Sequence, residues 1–167
     1  MKTDTQKLRV HLRWMIKRDI PEVLDIEQNS FADPWQENDF IQHLRQRNCI
    51  GFVAEYDDHI VAFFVYTMNP THIHIENFAV ANEFRGEGVG TACIDKLKDK
   101  LSPNRRRRIT VNVRESNLAA QKFFAACGFR AVNVLHDTYD NCDEDAYRFV
   151  FRIRDDADPC GGGDNAK

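Results

Sequence analysis

The sequence predicts an α/β (α+β) fold: one mixed, mostly antiparallel sheet of about seven strands flanked by four helices. Short runs in which apolar and polar residues alternate recur along the chain, the period of strands with one buried face. Between them lie stretches with helical periodicity, clearest at Val89, Cys93, Leu97 and Leu101, where the intervening Asp95, Lys96, Lys98, Asp99 and Lys100 fill the opposite face. With 167 residues, 43% hydrophobic and 29% charged, the chain can bury one sizeable core and not two.

Each element has its own signal. Leu8, Val10, Leu12 and Trp14 alternate with Arg9, His11 and Arg13, which reads as a first strand. Asp19 is placed to cap a helix with Pro21 in its first turn and Val23, Leu24 and Ile26 inside. A loop at 30–35 ends it, and a second helix from about residue 36 turns Phe40, Ile41 and Leu44 inward. Residues 50–56 and 60–68 read as a hairpin around Asp57-Asp58. A strand at 72–80 precedes the helix that starts at Val89, and another strand follows at 109–113. Residues 117–127 form a short helix closed by Gly128. Two strands, 131–135 and 146–153, complete the sheet. The domain is expected to span 1–155, and 156–167, rich in Asp, Gly and Asn, to be a disordered tail.

The most informative stretch is Val80-Ala81-Asn82-Glu83-Phe84-Arg85-Gly86-Glu87-Gly88-Val89-Gly90-Thr91, a strand end joined through glycines to a helix start. Gly86, Gly88 and Gly90 let backbone N–H groups approach an anion, and the helix dipole adds positive potential there. A P-loop would need a Gly-Lys-Ser/Thr ending, and a dinucleotide fold a Gly-x-Gly-x-x-Gly after its first strand; this chain has neither at that place. Arg85-x-x-Gly88-x-Gly90 instead resembles the acetyl-coenzyme A signature of the GCN5-related N-acetyltransferase (GNAT) superfamily. The order of elements over about residues 8–154 is similar to that of the same superfamily. The run from Ile26 through Asp33-Pro34-Trp35 to Phe40 resembles the acceptor-side helices of the ribosomal-protein-alanine (RimI-like) N-acetyltransferases. Val113-Arg114-Glu115-Ser116-Asn117, closing at Phe123-Phe124-Ala125-Ala126-Cys127-Gly128-Phe129, resembles their fifth strand and fourth helix. Glu144-Asp145-Ala146-Tyr147, with Tyr139 upstream, resembles their carboxy-terminal segment.

The resemblance implies acetyl-CoA as co-substrate. Its pantetheine arm would run between splayed strands, bonded to the main chain of Phe78, Ala79 and Val80, with Asn117 holding the arm near the sulfur. Its pyrophosphate would lie on Arg85, Gly86, Glu87, Gly88, Val89, Gly90 and Thr91. Many relatives carry a basic residue at the position of Thr91, so the 3′-phosphate contact is left unassigned.

In the catalytic positions the chain departs from that pattern. RimI-type enzymes are understood to use a glutamate base on the fifth strand and a tyrosine acid on the fourth helix, and Asn112 and Phe124 stand there instead. Neither titrates usefully. Glu76 and His74, two apart on one strand, share a face and are the candidate bases, Glu76 first. Tyr139 is the remaining phenol for acid or amine-binding work. An α-amine, with an unperturbed pKa of about 7.7 to 8.0, is on the order of one-tenth neutral at pH 7 and needs only a weak base, whereas lysine is almost wholly charged. The resemblance therefore implies transfer to the N-terminal α-amine of a protein or peptide, with a ribosomal protein among the candidates. A small-molecule amine acetyltransferase and a low-turnover acetyl-CoA-binding module stand as alternatives.

A net charge of −3 gives no general drive toward nucleic acid. The four arginines 105–108 read as a solvated turn more readily than as a grip on an acidic partner. Neither a signal-peptide stretch nor a membrane-length apolar run occurs, so a cytoplasmic protein without membrane contact is expected. Five scattered cysteines without a C-x-x-C pair point to reduced thiols, and no metal site is expected.

Overall fold

The computed structural model describes residues 7–136 and 144–154. Seven strands form one sheet in the order β1-β2-β3-β4-β5-β7-β6. They are β1 (His11–Trp14), β2 (Cys49–Tyr56), β3 (His59–Met68), β4 (His72–Val80), β5 (Arg108–Arg114), β6 (Arg130–Leu135) and β7 (Ala146–Arg152). Only β4 and β5 are parallel, and the chain passes between them through helix α3 (Val89–Lys98). The β2–β3 hairpin turns at Asp57 and Asp58, at φ 52° and 60°. Left-handed backbone at both central residues suits the twist of a tight hairpin, and Asp tolerates it.

Helices cover both faces. α1 (Ile20–Ser30) and α2 (Glu37–Leu44) bury Ile20, Val23, Ile26 and Phe40 against Val53, Phe63, Val65 and Ala79. On the other face α3 buries Val89, Cys93, Ile94 and Leu97, and α4 (Leu118–Ala126) buries Phe124, against Phe64, Ile73, Ile109 and Val113. α3 buries Val89, Cys93 and Leu97 as its stripe predicts, whereas of the inward set expected in α2 only Phe40 is buried and Ile41 and Leu44 are half-buried. α4 starts on Asn117, whose Oδ1 accepts from Ala120 N–H at 3.1 Å, and ends at Gly128 with φ 92°. Lys98 Nζ then donates to the Cys127 carbonyl at 2.6 Å, tying the end of α3 to the end of α4.

Some details differ from the sequence expectation. Trp14 is 71% exposed, because β1 is an edge strand lying outboard of Phe52, over which Lys96 and Lys100 already reach. Asp19 is the N-cap residue of α1 without bonding its first turn; its carboxylate accepts from Arg13 at 2.7 and 2.8 Å and from Ile16 N–H at 2.8 Å. Burial alone would push this carboxyl up, but those hydrogen bonds outweigh it and hold it below the usual range. Burial raises the thiols of Cys49 to about 11 and Cys93 to about 12, so both stay protonated and unreactive. Tyr139 and residues 156–167 lie outside the described residues. No helix among the described residues is long and apolar enough to cross a membrane.

Tyr66, wholly buried beside Phe52 and Phe64, leaves its hydroxyl without a hydrogen-bond partner among the described residues. A buried unpaired hydroxyl costs free energy that a phenylalanine does not. Tyr66→Phe is therefore expected to raise unfolding stability by about 1 kcal/mol, read as a higher urea midpoint at unchanged slope.

Candidate active site

Between β4 and α3 the chain turns through Gly86 and Gly88, at φ 78° and 83°. That left-handed backbone is open to glycine and strained for β-branched residues. Gly88 is the N-cap residue of α3, so the first amides of the helix face outward with no capping side chain. Gly90 has a different job from the one its position in the motif suggests. Its φ is ordinary, and an added Cβ would lie 2.9 Å from Phe123 Cε2, so its smallness lets α3 pack on α4.

Beside this turn the sheet opens. The β4–β5 pairing runs from His72↔Arg108 to Ile75↔Val111 and stops, so the β5-facing edge of β4 from Glu76 onward has no strand against it. Val65 pairs with Asn77 and Tyr66 with Ile75, which makes Glu76 the extra residue of a β-bulge. The bulge flips the alternation: Ile73 and Ile75 share a core with Phe78 and Val80, while Asn77 and Ala79 turn to the α1–α2 side. A groove of about 730 Å³ follows the opening from the glycine turn, past Phe78, Val80 and Asn117, to Glu27, Asp33 and Trp35 on the other side. Free amides at a helix start, a turn with no Cβ in the way and an unpaired strand edge together fit a long ligand with a phosphate end and an amide-bearing arm.

A model of the acetyltransferase (GNAT) family matches residues 20–129, which span the first helix, the bulged strand, the glycine turn and α4. The chain belongs to the GNAT family. As a GNAT protein it is an acetyl-CoA-dependent N-acetyltransferase. It is 27% identical over 141 residues to a putative [ribosomal protein bS18]-alanine N-acetyltransferase of Bacillus subtilis, covering 84% of this chain and 93% of that one. The crystal structure of the ribosomal-protein-S18-alanine N-acetyltransferase from Escherichia coli superposes with a TM-score of 0.77 at 23% identity, over 95% of this chain and 99% of that one. Arabidopsis thaliana NAA60 in complex with acetyl-CoA superposes with a TM-score of 0.75 at 19% identity, over 87% and 100%. The seven-stranded mixed sheet with its four helices is thus the GNAT fold.

The titratable groups of this GNAT site divide between two cavities. Glu76 borders both the long groove and a second cleft of about 710 Å³ on the open face of β4, β5 and β7. Its Oε1 accepts from Thr67 Oγ1 at 3.0 Å. His74 borders the second cleft alone, with Nδ1 2.7 Å from Thr110 Oγ1. Burial lowers its pKa, and Arg148 and His72 add to that against the pull of Glu76, so the imidazole is neutral at pH 7. The shared face expected of His74 and Glu76 is therefore present, but only Glu76 reaches the groove. Asn112 accepts from Arg148 Nε at 3.1 Å, and Phe124 is buried among Phe78, Phe123 and Phe129 with one edge on the groove.

Of the residues expected around the phosphate end, Arg85 points elsewhere. Its Nε donates to the Val80 carbonyl at 3.1 Å and its Nη2 to Ser30 Oγ at 3.3 Å, fastening the strand end to α1. Three other residues matter that sequence reasoning did not select. Lys7 lays its stem over Gly88, and Leu8 N–H donates to the Glu87 carbonyl at 3.0 Å, so the amino-terminal segment supports the turn. Glu27, 2% exposed, accepts from Trp35 N–H and from Asn77 Nδ2, both at 2.9 Å. Burial raises its pKa, and those two bonds offset only part of the rise. Arg114 bridges Asp33 in the α1–α2 loop, at 3.8 Å, and Glu144 ahead of β7, at 3.3 Å. A glutamate at a core position of an amphipathic helix was the available sign for Glu27; nothing local marks Lys7 or Arg114.

Proposed function

We propose that the enzyme acetylates the N-terminal α-amine of a protein or peptide. Resemblance to bS18-alanine N-acetyltransferases across most of both chains supports this reading. The single observation that carries it is Glu76, a carboxylate on the bulge where β4 and β5 part, with the glycine turn at one end of the groove and Asp33 and Trp35 at the other. Acetyl-CoA supplies an acetyl group activated as a thioester. Amides of Gly86, Glu87, Gly88, Val89, Gly90 and Thr91 hold the pyrophosphate, with Lys7 adding positive charge. The main chain of Phe78, Ala79 and Val80 and the amide of Asn117 orient the pantetheine arm in the gap. Glu76 takes a proton from the acceptor ammonium through water; the freed amine forms the new C–N bond as the C–S bond breaks, and the second amine proton passes to the departing thiolate, leaving a neutral amide and free coenzyme A thiol. A thiolate of pKa near 8.5 leaves without a strong acid, which fits the apolar Phe124 at that position. Small amines form a second reading, favoured by Asn112 and Phe124 standing where RimI-type relatives keep their base and acid.

If Glu76 is the base, Glu76→Gln should lower kcat/KM most at pH 6 to 7, where an amine of pKa near 8 is nearly all charged, and least near pH 9. The loss expected at low pH is about a hundredfold. The assay follows acetylation of an alanine- or serine-starting peptide, its amino-terminally blocked lysine-containing twin, and a polyamine. A pH-independent loss would reduce Glu76 to a structural partner of Thr67. Preference for the blocked peptide or the polyamine would refute the α-amine reading.

A further inference from the structure

The second cleft, of about 710 Å³, is not needed for the thioester, yet it meets the groove at Glu76. Its floor is the face of β4, β5 and β7 bearing His72 and His74, Arg108 and Thr110, and Arg148 and Arg152. The register sets His72 opposite Arg108 and Arg108 opposite Arg152, so three basic side chains stand abreast across three strands. Like charges directly opposite one another destabilise a sheet. Among the described residues no ion pair relieves Arg108, Arg148 or Arg152, and the only carboxylate in the lining is Glu76 at the far end. The chain as a whole carries a net charge of −3, so this cationic strip is a local feature. Arg108 and Arg148 also lower the pKa of His72, behind the effect of burial, as expected where positive potential collects.

We infer that this cleft receives an acidic stretch of the acceptor polypeptide, downstream of the residue being acetylated. The inference rests on the α-amine reading above. Charge selects the occupant: an arginine row with unanswered charge favours carboxylates and rejects lysine- or arginine-rich segments. Position selects the residues. His72 stands four residues before Glu76, about 13 Å along the strand. An extended peptide whose amine lies at Glu76 passes Arg148 first and reaches the Arg108–Arg152 row at roughly its fourth to sixth residue.

The test uses alanine-starting peptides with Glu, Gln or Lys at positions four to six, with kcat and KM measured at low and high salt. The Glu peptide should show a KM roughly three- to tenfold below the Gln peptide, the Lys peptide a higher one, and the differences should shrink in salt. Arg108→Glu/Arg152→Glu should invert the order of Glu and Lys peptides, and the milder Arg108→Gln/Arg152→Gln should flatten it. Acetylation of all three peptides with equal KM would overturn the cleft assignment alone; no acetylation of any peptide beside turnover of a polyamine would overturn the α-amine reading with it. Competition by a short RNA that the double variants abolish, without a Glu preference in the unaltered enzyme, would give the strip to nucleic acid and refute the proposal.

Discussion

Gly88→Val is expected to abolish useful coenzyme A binding in a protein that still folds. Gly88 sits at φ 83°, where a β-branched side chain is strained, and an added Cβ would stand 3.2 Å from the Lys7 stem. The backbone can relieve that strain only by rotating the amides at the start of α3 away from the pyrophosphate. Each lost charge-assisted bond costs about 1.5 to 3 kcal/mol, so losing two should weaken affinity a hundredfold or more. Calorimetric titration with coenzyme A reads the effect, and thermal unfolding confirms the fold. Gly90→Ala is the informative companion, because its obstacle is Phe123 in the α3–α4 packing and its cost should fall on stability. Unchanged affinity in folded Gly88→Val would place the pyrophosphate elsewhere.

Phe124→Tyr should raise kcat by about tenfold or more if departure of the thiolate limits turnover. The ring is 3% exposed and packed against Phe78, Phe123 and Phe129, so its orientation is already set and only the hydroxyl is new. A positioned general acid contributes about a hundredfold to ten-thousandfold, and part of that should appear when a phenol meets the groove. A small fall in thermal stability should accompany it, since a hydroxyl is being placed in an apolar cluster. Release of free thiol under saturating peptide reads kcat, and a pre-steady-state burst distinguishes chemistry from product release. An unchanged kcat without a burst would show that protonation of the thiolate is not what limits this enzyme.

Local chemistry made most of the architecture legible in the sequence. The strand at 72–80, the hairpin turning at Asp57-Asp58, the stripe of α3, the Asn117 cap and the Gly128 stop all depend on residues close together in the chain, and they form as their patterns predict. The glycine turn was equally visible, because glycine adopts the left-handed backbone of Gly86 and Gly88 without the strain that most side chains would meet there. The division of labour in the site required the assembled sheet. A bulge at Glu76 arises from the pairing of β4 with β3, and the gap beside it from where the β5 pairing stops; neither is encoded by a period within one strand. Glu27 meets Asn77 fifty residues on, Arg114 bridges Asp33 and Glu144, and Arg108 finds Arg152 across a pair of strands far apart in sequence. Sequence by itself determined which backbone can bend, cap and bury, since those preferences act over a few residues. Tertiary structure decided which charges stand together and which face a cavity, because electrostatic contacts depend on distance in space, and only folding sets that distance.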